Sequence, residues 1–146
     1  MALFQTAAAK GLLATPSAYQ AGILTTAVYE YVFDEDYATA TDKIELGRLP
    51  ADVQIVGATV IGAGLGAVTA DVGIMSGAPS DPDNDRTVGD ELFDAQSVNN
   101  TEAAATLADC LAVARSDKHR AVGAVLSGNV AAGAAKKLTL RIDYVA

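Results

Sequence analysis

Cysteine, histidine and tryptophan are almost missing from this sequence. Of its 146 residues, one is cysteine, one is histidine and none is tryptophan. A single cysteine excludes a disulfide within the chain, so the sequence suits either a reducing compartment or a protein indifferent to redox state. The lone histidine, His119, lies in the charged stretch SDKHR with no orienting partner beside it. We therefore predict that Cys110 is a core or semi-buried structural residue and not a nucleophile.

Basic residues and long apolar runs are also scarce. The chain has 10 basic and 18 acidic residues, which gives a formal net charge of −8 and repels the phosphates of nucleic acid. No apolar run approaches the roughly 20 residues of a membrane span. The run at residues 12–14, next to Lys10, is too short for the apolar core of a signal peptide. We predict that the protein binds neither nucleic acid nor a membrane.

Recognisable catalytic motifs are absent as well. The sequence has no GxSxG, HExxH, CxxC or Walker motif. The glycine-rich stretch GAGLGA, residues 62–67, is followed by an alternating strand pattern, whereas a phosphate-binding loop must open a helix. Adjacent acids at residues 34–36 and 90–91 are typical of solvated loops. These features predict a protein that is not an enzyme and has no cofactor.

Three aspartates at alternate positions raise the possibility of a calcium site. Asp81, Asp83 and Asp85 match the first, third and fifth positions of an EF-hand loop. The sixth and twelfth positions, which need glycine and glutamate, are Arg86 and Leu92. Failure at both of these positions predicts a solvated loop with no bound metal, and a calcium-dependent module is kept as an alternative.

What the sequence does contain is a series of strand patterns. Apolar and polar residues alternate most clearly in KKLTLRIDYVA (136–146) and GAVTADVGIMSG (66–77), and AVYEYVF (27–33) is a more two-sided strand. Weaker strands are predicted at 42–49, 53–61 and 120–128. Turn residues separate these strands at fairly regular spacing, without a βαβ rhythm. The fold class is therefore predicted to be all-β, an antiparallel sandwich or barrel.

Two stretches depart from the strand pattern and predict one or two short helical segments. VGDELFDAQSV, residues 88–98, is compatible with a short helix or helical turn. EAAATLADCLAVA, residues 102–114, has helix-forming alanines and places Leu107, Cys110, Leu111 and Ala114 at helical spacing. Its assignment to helix or strand stays open here, and a strand at its C-terminal end, LAVA, is favoured.

The first twenty residues have a different character from the rest. They are rich in alanine, threonine and glycine and carry apolar residues without a defensible period, and we divide the chain into an N-terminal arm, 1–20, and a sandwich domain, 21–146. The arm is either a frayed terminus or a segment that becomes ordered against a partner. On the second interpretation the partner contacts are Leu3, Phe4, Leu12, Leu13 and Tyr19.

The order of sequence phrases resembles that of small structural proteins of tailed bacteriophages. The resemblance covers roughly residues 20–146. Over this range the sequence is similar above all to head decoration, or cement, proteins, which are commonly encoded beside the major capsid protein. It is carried by the phrases IELGRLPADVQIV, DVGIMSG, DRTVGDELF and the closing strand LTLRIDYVA.

The resemblance implies a jelly-roll-like antiparallel β-sandwich with an extended N-terminal arm. It implies a protein made in the host bacterial cytoplasm that binds the outer capsid surface of the virion. There it would bridge major capsid protein subunits, as a homo-oligomer such as a dimer or trimer, and stabilise the head. On this view Asp81, Asp83 and Asp85 cap turns, Arg86 is available to pair with a carboxylate, and Leu92 with Phe93 anchors the loop to the sandwich.

Two other functions are compatible with the same patterns. One is a structural component of the tail or of the head-to-tail connector, which the sequence does not separate from a head protein. The other is a small-ligand or carbohydrate-binding β-domain, since sandwiches often carry such sites on their loops. The lack of tryptophan, a frequent platform for sugars, disfavours the carbohydrate interpretation.

Overall fold

Two β-sheets pack against each other in the computed structural model, which describes residues 2–15 and 23–146. In chain order the strands are β1 (Leu3–Gln5), β2 (Thr25–Val32), β3 (Lys43–Leu49), β4 (Gln54–Ala63), β5 (Thr69–Met75), β6 (Phe93–Ser97), β7 (Glu102–Ala104), β8 (Arg120–Leu126) and β9 (Lys137–Val145). Within these described ranges there is one helix, α1 (Leu107–Ala112), directly after β7.

The strand order defines two sheets with different edges. The first sheet runs β1-β3-β8-β5-β6 and the second runs β2-β9-β4-β7. All neighbouring strands are antiparallel except β1, which runs parallel to β3. From β1 to β5 the chain alternates between the sheets, and it does so again from β6 to β9. The predicted antiparallel β-sandwich is confirmed, and so are the strands predicted at 42–49, 53–61 and 120–128.

The core lies between the sheets and is built from alternate residues of each strand. In β9, Leu138, Leu140, Ile142 and Tyr144 are fully buried, while Arg141 on the opposite face is exposed. Burial of an aliphatic side chain of this size contributes roughly 1.5–3 kcal/mol. Because β9 is central in its sheet, this inward face fixes the register of β2 and β4 on either side.

A bulge in β3 brings the two sheets into close contact. The pairing of β3 with β8 shifts between Glu45 and Gly47, and a Cβ at Gly47 would overlap the ring of Tyr29 in the facing sheet. The Tyr29 hydroxyl donates a hydrogen bond to the carbonyl of Arg48. The glycine therefore makes room for an aromatic ring whose polar end is satisfied by the same strand.

The prediction of a helix or helical turn at residues 88–98 was wrong. This stretch contains β6, whose Phe93 and Ser97 pair with Val72 and Thr69 of β5. The amide of Leu92 already donates to the carbonyl of Val72, at 3.0 Å. The neighbouring strand supplies backbone hydrogen bonds that a short isolated helix would have to make alone, and this outweighs local propensity.

Residues 102–114 contain both a strand and a helix, in the opposite order to the one favoured. The strand is β7, at the N-terminal end of this stretch. The prediction of a strand at 111–114 was wrong, because α1 extends to Ala112. The helix begins after Thr106, whose hydroxyl accepts a hydrogen bond from the amide of Asp109 at 3.1 Å. Cys110 is the residue that α1 buries in the core, which confirms the predicted burial of its side chain.

Candidate assembly surfaces

Residues 2–15, here called the leading segment, lie along β3. The amide of Thr6 donates to the carbonyl of Glu45 at 3.0 Å, and its hydroxyl donates to the carbonyl of Leu46. The same hydroxyl accepts from the amide of Ala9 at 3.0 Å, and both Thr6 and Ala9 are buried. The first half of the leading segment is therefore bonded to the sandwich, and the arm boundary after residue 20 stays a prediction.

Leu3 and Phe4, the first two predicted partner contacts, belong to β1 and are partly buried. The Phe4 ring centroid lies 5.9 Å from that of Tyr31 and 6.2 Å from that of Tyr37. Tyr31 in turn makes an edge contact with Phe33 at 4.9 Å. Phe4 thus contributes to an aromatic cluster that closes the sandwich between β1 and β2.

Leu12 and Leu13, the next two predicted contacts, are exposed to solvent. Their exposed fractions are 74% and 61%. Ile23 and Leu24, just before β2, are exposed by 50% and 58%. Tyr19, the last predicted contact, lies outside the described residues. Leu12, Leu13, Ile23 and Leu24 are here called the apolar flanks, because in the sequence they precede and follow residues 16–22.

Glu45 forms a buried hub that sequence reasoning missed. Its carboxylate accepts from Gln5 Nε2 at 2.6 Å, from Arg86 Nη1 at 2.7 Å and from the amide of Ser80 at 2.8 Å. Glu45 is fully buried and Arg86 is only 3% exposed. One carboxylate therefore joins the leading segment, β3 and the loop at residues 76–92. The only sequence signal for it was the arginine in that loop.

The loop at residues 76–92, which contains Asp81, Asp83 and Asp85, is organised by turns. The carboxylate of Asp81 accepts from the amide of Asp83 at 3.0 Å, and that of Asp83 accepts from the amide of Asp85 at 2.9 Å. Arg86 also donates to the carbonyls of Ser76 and Asp81. Turn capping by the first two aspartates and pairing of Arg86 with a carboxylate are confirmed.

Across residues 2–15 and 23–146 no cluster of three or more His, Cys, Asp or Glu side chains is arranged to hold a metal.

The residues most suited to chemistry are held in structural contacts. His119 Nδ1 accepts from the amide of Ala51 at 3.2 Å. Burial raises the pKa of the Cys110 thiol, and the nearby carboxylate of Asp109 adds to that effect, which disfavours the nucleophilic thiolate. The single helix of the described ranges, α1, has six residues, far fewer than a membrane-spanning helix needs.

Asp42 fastens the start of the leading segment. Its carboxylate accepts from the amide of Ala2 at 2.9 Å, from the amide of Ala38 at 2.8 Å and from the hydroxyl of Thr41 at 3.0 Å. Burial alone would raise the pKa of Asp42, but these hydrogen bonds outweigh it and hold the pKa below its usual value. The ionised carboxylate is thus the form that the fold stabilises.

An Asp42→Asn variant should reveal this contribution through its pH dependence. Because the folded-state pKa is lowered, the stabilisation is complete above the ordinary value of 3.8 and is lost as the pH falls through the folded-state pKa. At pH 7 we expect the variant to be less stable by about 1–3 kcal/mol. The difference should shrink at pH 3. Urea unfolding at both pH values measures it, and a difference independent of pH would contradict the assignment.

Two further exposed features lie at the edges of the sheets. Strand β2 is the outer strand of its sheet, and its free edge faces β1 across a groove of about 350 Å³. On the far side, α1 exposes Leu107 and Leu111 by 60% and 51%. Within the described ranges no strand pairs with the free edge of β2, and such an edge is a ready template for pairing with another chain.

Comparison with solved structures decides the family. A chain from the capsid of Ralstonia phage GP4 shares the fold with a TM-score of 0.89 and 34% sequence identity, over 99% of this chain and 97% of that chain. This protein belongs to a family of bacteriophage capsid proteins. As a phage capsid protein it has a structural role in the virion, and its assembly into a capsid follows from the same membership.

More distant capsid chains share the fold alone. One comes from the capsid asymmetric unit of cyanophage Pam1, with a TM-score of 0.61, 20% identity and 91% of each chain covered. Another comes from the acidic stable capsid of Helicobacter pylori bacteriophage KHP30, with a TM-score of 0.53, 15% identity, and 87% of this chain and 90% of that chain covered. No protein-family model and no curated protein matches this phage capsid protein.

Proposed function

We propose that this capsid protein binds the outer surface of a phage head and stabilises it by bridging neighbouring major capsid protein subunits. The observation that carries the proposal is 34% identity, over almost the whole length, to a chain from the capsid of Ralstonia phage GP4. The order of sequence phrases, which resembles that of head decoration proteins, supports the outer position. After synthesis in the host cytoplasm the protein joins the head as a dimer or trimer.

The apolar flanks supply the attachment surface in this proposal. Leu12, Leu13, Ile23 and Leu24 are large apolar side chains left in water by a chain with a complete core elsewhere. Contacts of this kind are individually weak. They are reinforced when one protein touches several subunits of a shell, because each later contact forms at high effective concentration.

The proposal is tested by locating the protein in the virion and removing it. In a reconstruction of purified particles we expect it on the outside of the head, in icosahedral copy number. Heads assembled without its gene should release DNA at a lower temperature than wild-type heads, and added protein should restore the wild-type temperature.

Other locations in the particle would reject the proposal. A ring at one vertex would favour the head-to-tail connector, and a position along the tail would favour a tail component. A position inside the shell would rule out a role on the outer surface. Unchanged DNA release from heads that lack the protein would remove the stabilising role.

A further inference from the structure

The groove between β1 and β2 is bounded by two strand edges. Strand β2 pairs with β9 on one side and β1 pairs with β3, so each is the outermost strand of its own sheet in the described part of the chain. Their free edges face the groove of about 350 Å³, which is lined by residues 2–7 on one side and by residues 30–32 on the other. Unpaired amides and carbonyls along such edges can bind an added strand.

Tyr31 is one of the residues that line this groove, and its hydroxyl is buried without a partner in the described part of the chain. Tyr31 is 6% exposed, yet its hydroxyl has no hydrogen-bond partner among the residues that the structure describes. A phenylalanine would fill the same space beside Phe4 and Phe33 without an unsatisfied group. Burial raises the pKa of Tyr31, and the negative charges of Asp34 and Glu35 raise it further, so the hydroxyl keeps its proton and can donate.

The β2 side of the groove is acidic. Glu30, Asp34 and Glu35 line it and are exposed, while Lys10 lies among the lining residues of the opposite side. Glu30 makes only a loose ion pair with Lys137, at 3.5 Å between two half-exposed side chains. The chain as a whole has a net charge of −8. An occupant with basic side chains is therefore favoured over an acidic one.

We propose that this groove receives an extended basic segment of a capsid shell subunit, which pairs with the free edge of β2 as an added strand. The Tyr31 hydroxyl donates to a main-chain carbonyl of that segment, and a lysine or arginine of the segment lies beside Asp34 and Glu35. The inference rests on the proposed function, because it names the kind of shell element that the protein holds.

Binding of purified variants to heads that lack the protein tests the groove. Tyr31→Phe removes one hydroxyl and keeps the ring, so its melting temperature should be equal to or above that of the wild type. We expect its binding to heads to be weaker by about tenfold. Asp34→Asn with Glu35→Gln should weaken binding and flatten its dependence on salt concentration, since two attractive charges are lost.

A matched variant controls for total charge. Asp94→Asn with Asp117→Asn removes the same two negative charges from exposed positions outside the groove, and Asp94 lies in β6 at the opposite edge of the first sheet. Its binding should equal that of the wild type. An equal loss of binding in this control would overturn the proposal, because any acidic surface would then serve.

A photo-crosslinking residue at Val32, which lines the groove, identifies the occupant. We expect a cross-link to a shell-subunit peptide that contains lysine or arginine. A cross-link to a second copy of this chain would overturn the proposal. Wild-type binding to heads, combined with unchanged binding of both groove variants, would also overturn it and leave the proposed function standing. Failure of the wild type to bind heads would instead reject both.

Discussion

A Glu45→Ala variant should lose about 3–5 kcal/mol of unfolding free energy. The substitution leaves the guanidinium of Arg86 buried without its carboxylate partner, and it also strips acceptors from Gln5 Nε2 and the Ser80 amide. A buried charge that loses its partner is far more costly than a lost surface ion pair. Chemical unfolding in urea measures the change.

Two comparison variants separate the buried charge from other effects. Glu102→Ala removes the same side chain from an exposed position in β7, and we expect a change within about 0.5 kcal/mol. Glu45→Gln combined with Arg86→Met removes both charges, so it should be more stable than Glu45→Ala. A loss below about 1 kcal/mol for Glu45→Ala would contradict the assignment of Glu45 as the hub.

The burial of Glu45 is a feature that the sequence could not predict. Alternation along β3 places Glu45 on the face opposite the core residue Ile44, and such a residue is expected to face water. The loop at residues 76–92 covers that face: a Cβ at Gly73, which pairs with Gly123 beside Glu45, would lie 2.6 Å from the backbone of Gly89. A periodic pattern distinguishes the two faces of a strand but contains no information about a distant loop that covers one of them.

The strands with one buried face could be predicted, because a periodic pattern does distinguish the two faces of a strand. In β9 a fixed period of two distinguishes buried from exposed residues without any knowledge of partners. At residues 88–98 the deciding factor was the free edge of β5, which no local pattern records. In α1, Leu107 and Leu111 stand at helical spacing with Cys110 but remain exposed, because only one face of this short helix touches the core.

Of the candidate surfaces, the apolar flanks were partly predictable from the sequence and the groove was not. Leu12 and Leu13 could be selected from the sequence, because large apolar residues in an otherwise small and polar stretch are unusual. Phe4 was selected on the same grounds, but its ring packs within the chain. The groove at Tyr31 could not be predicted, since it depends on β1 and β2 being the outer strands of facing sheets.

A Leu12→Ser, Leu13→Ser variant should fold normally and bind phage heads at least roughly a hundredfold more weakly per site. Both side chains are largely exposed in the free protein, so their loss removes little from the core. If both become buried against the shell, each contributes roughly 1.5–3 kcal/mol to binding, and 1.4 kcal/mol corresponds to a tenfold change in affinity. Melting temperature and binding to heads that lack the protein measure the two effects.

A matched variant on the other side of the sandwich decides whether the effect is local. Leu107→Ser with Leu111→Ser removes two exposed leucines from α1 and should leave binding to heads almost unchanged. An equal loss in both variants would mean that attachment follows total exposed apolar surface, which would contradict a specific role of the apolar flanks. Deletion of residues 1–20 is a less selective test, because it also removes the buried residues Thr6 and Ala9 from the sandwich. We expect that deletion to lower stability as well as attachment, whereas the two-leucine variant lowers attachment alone.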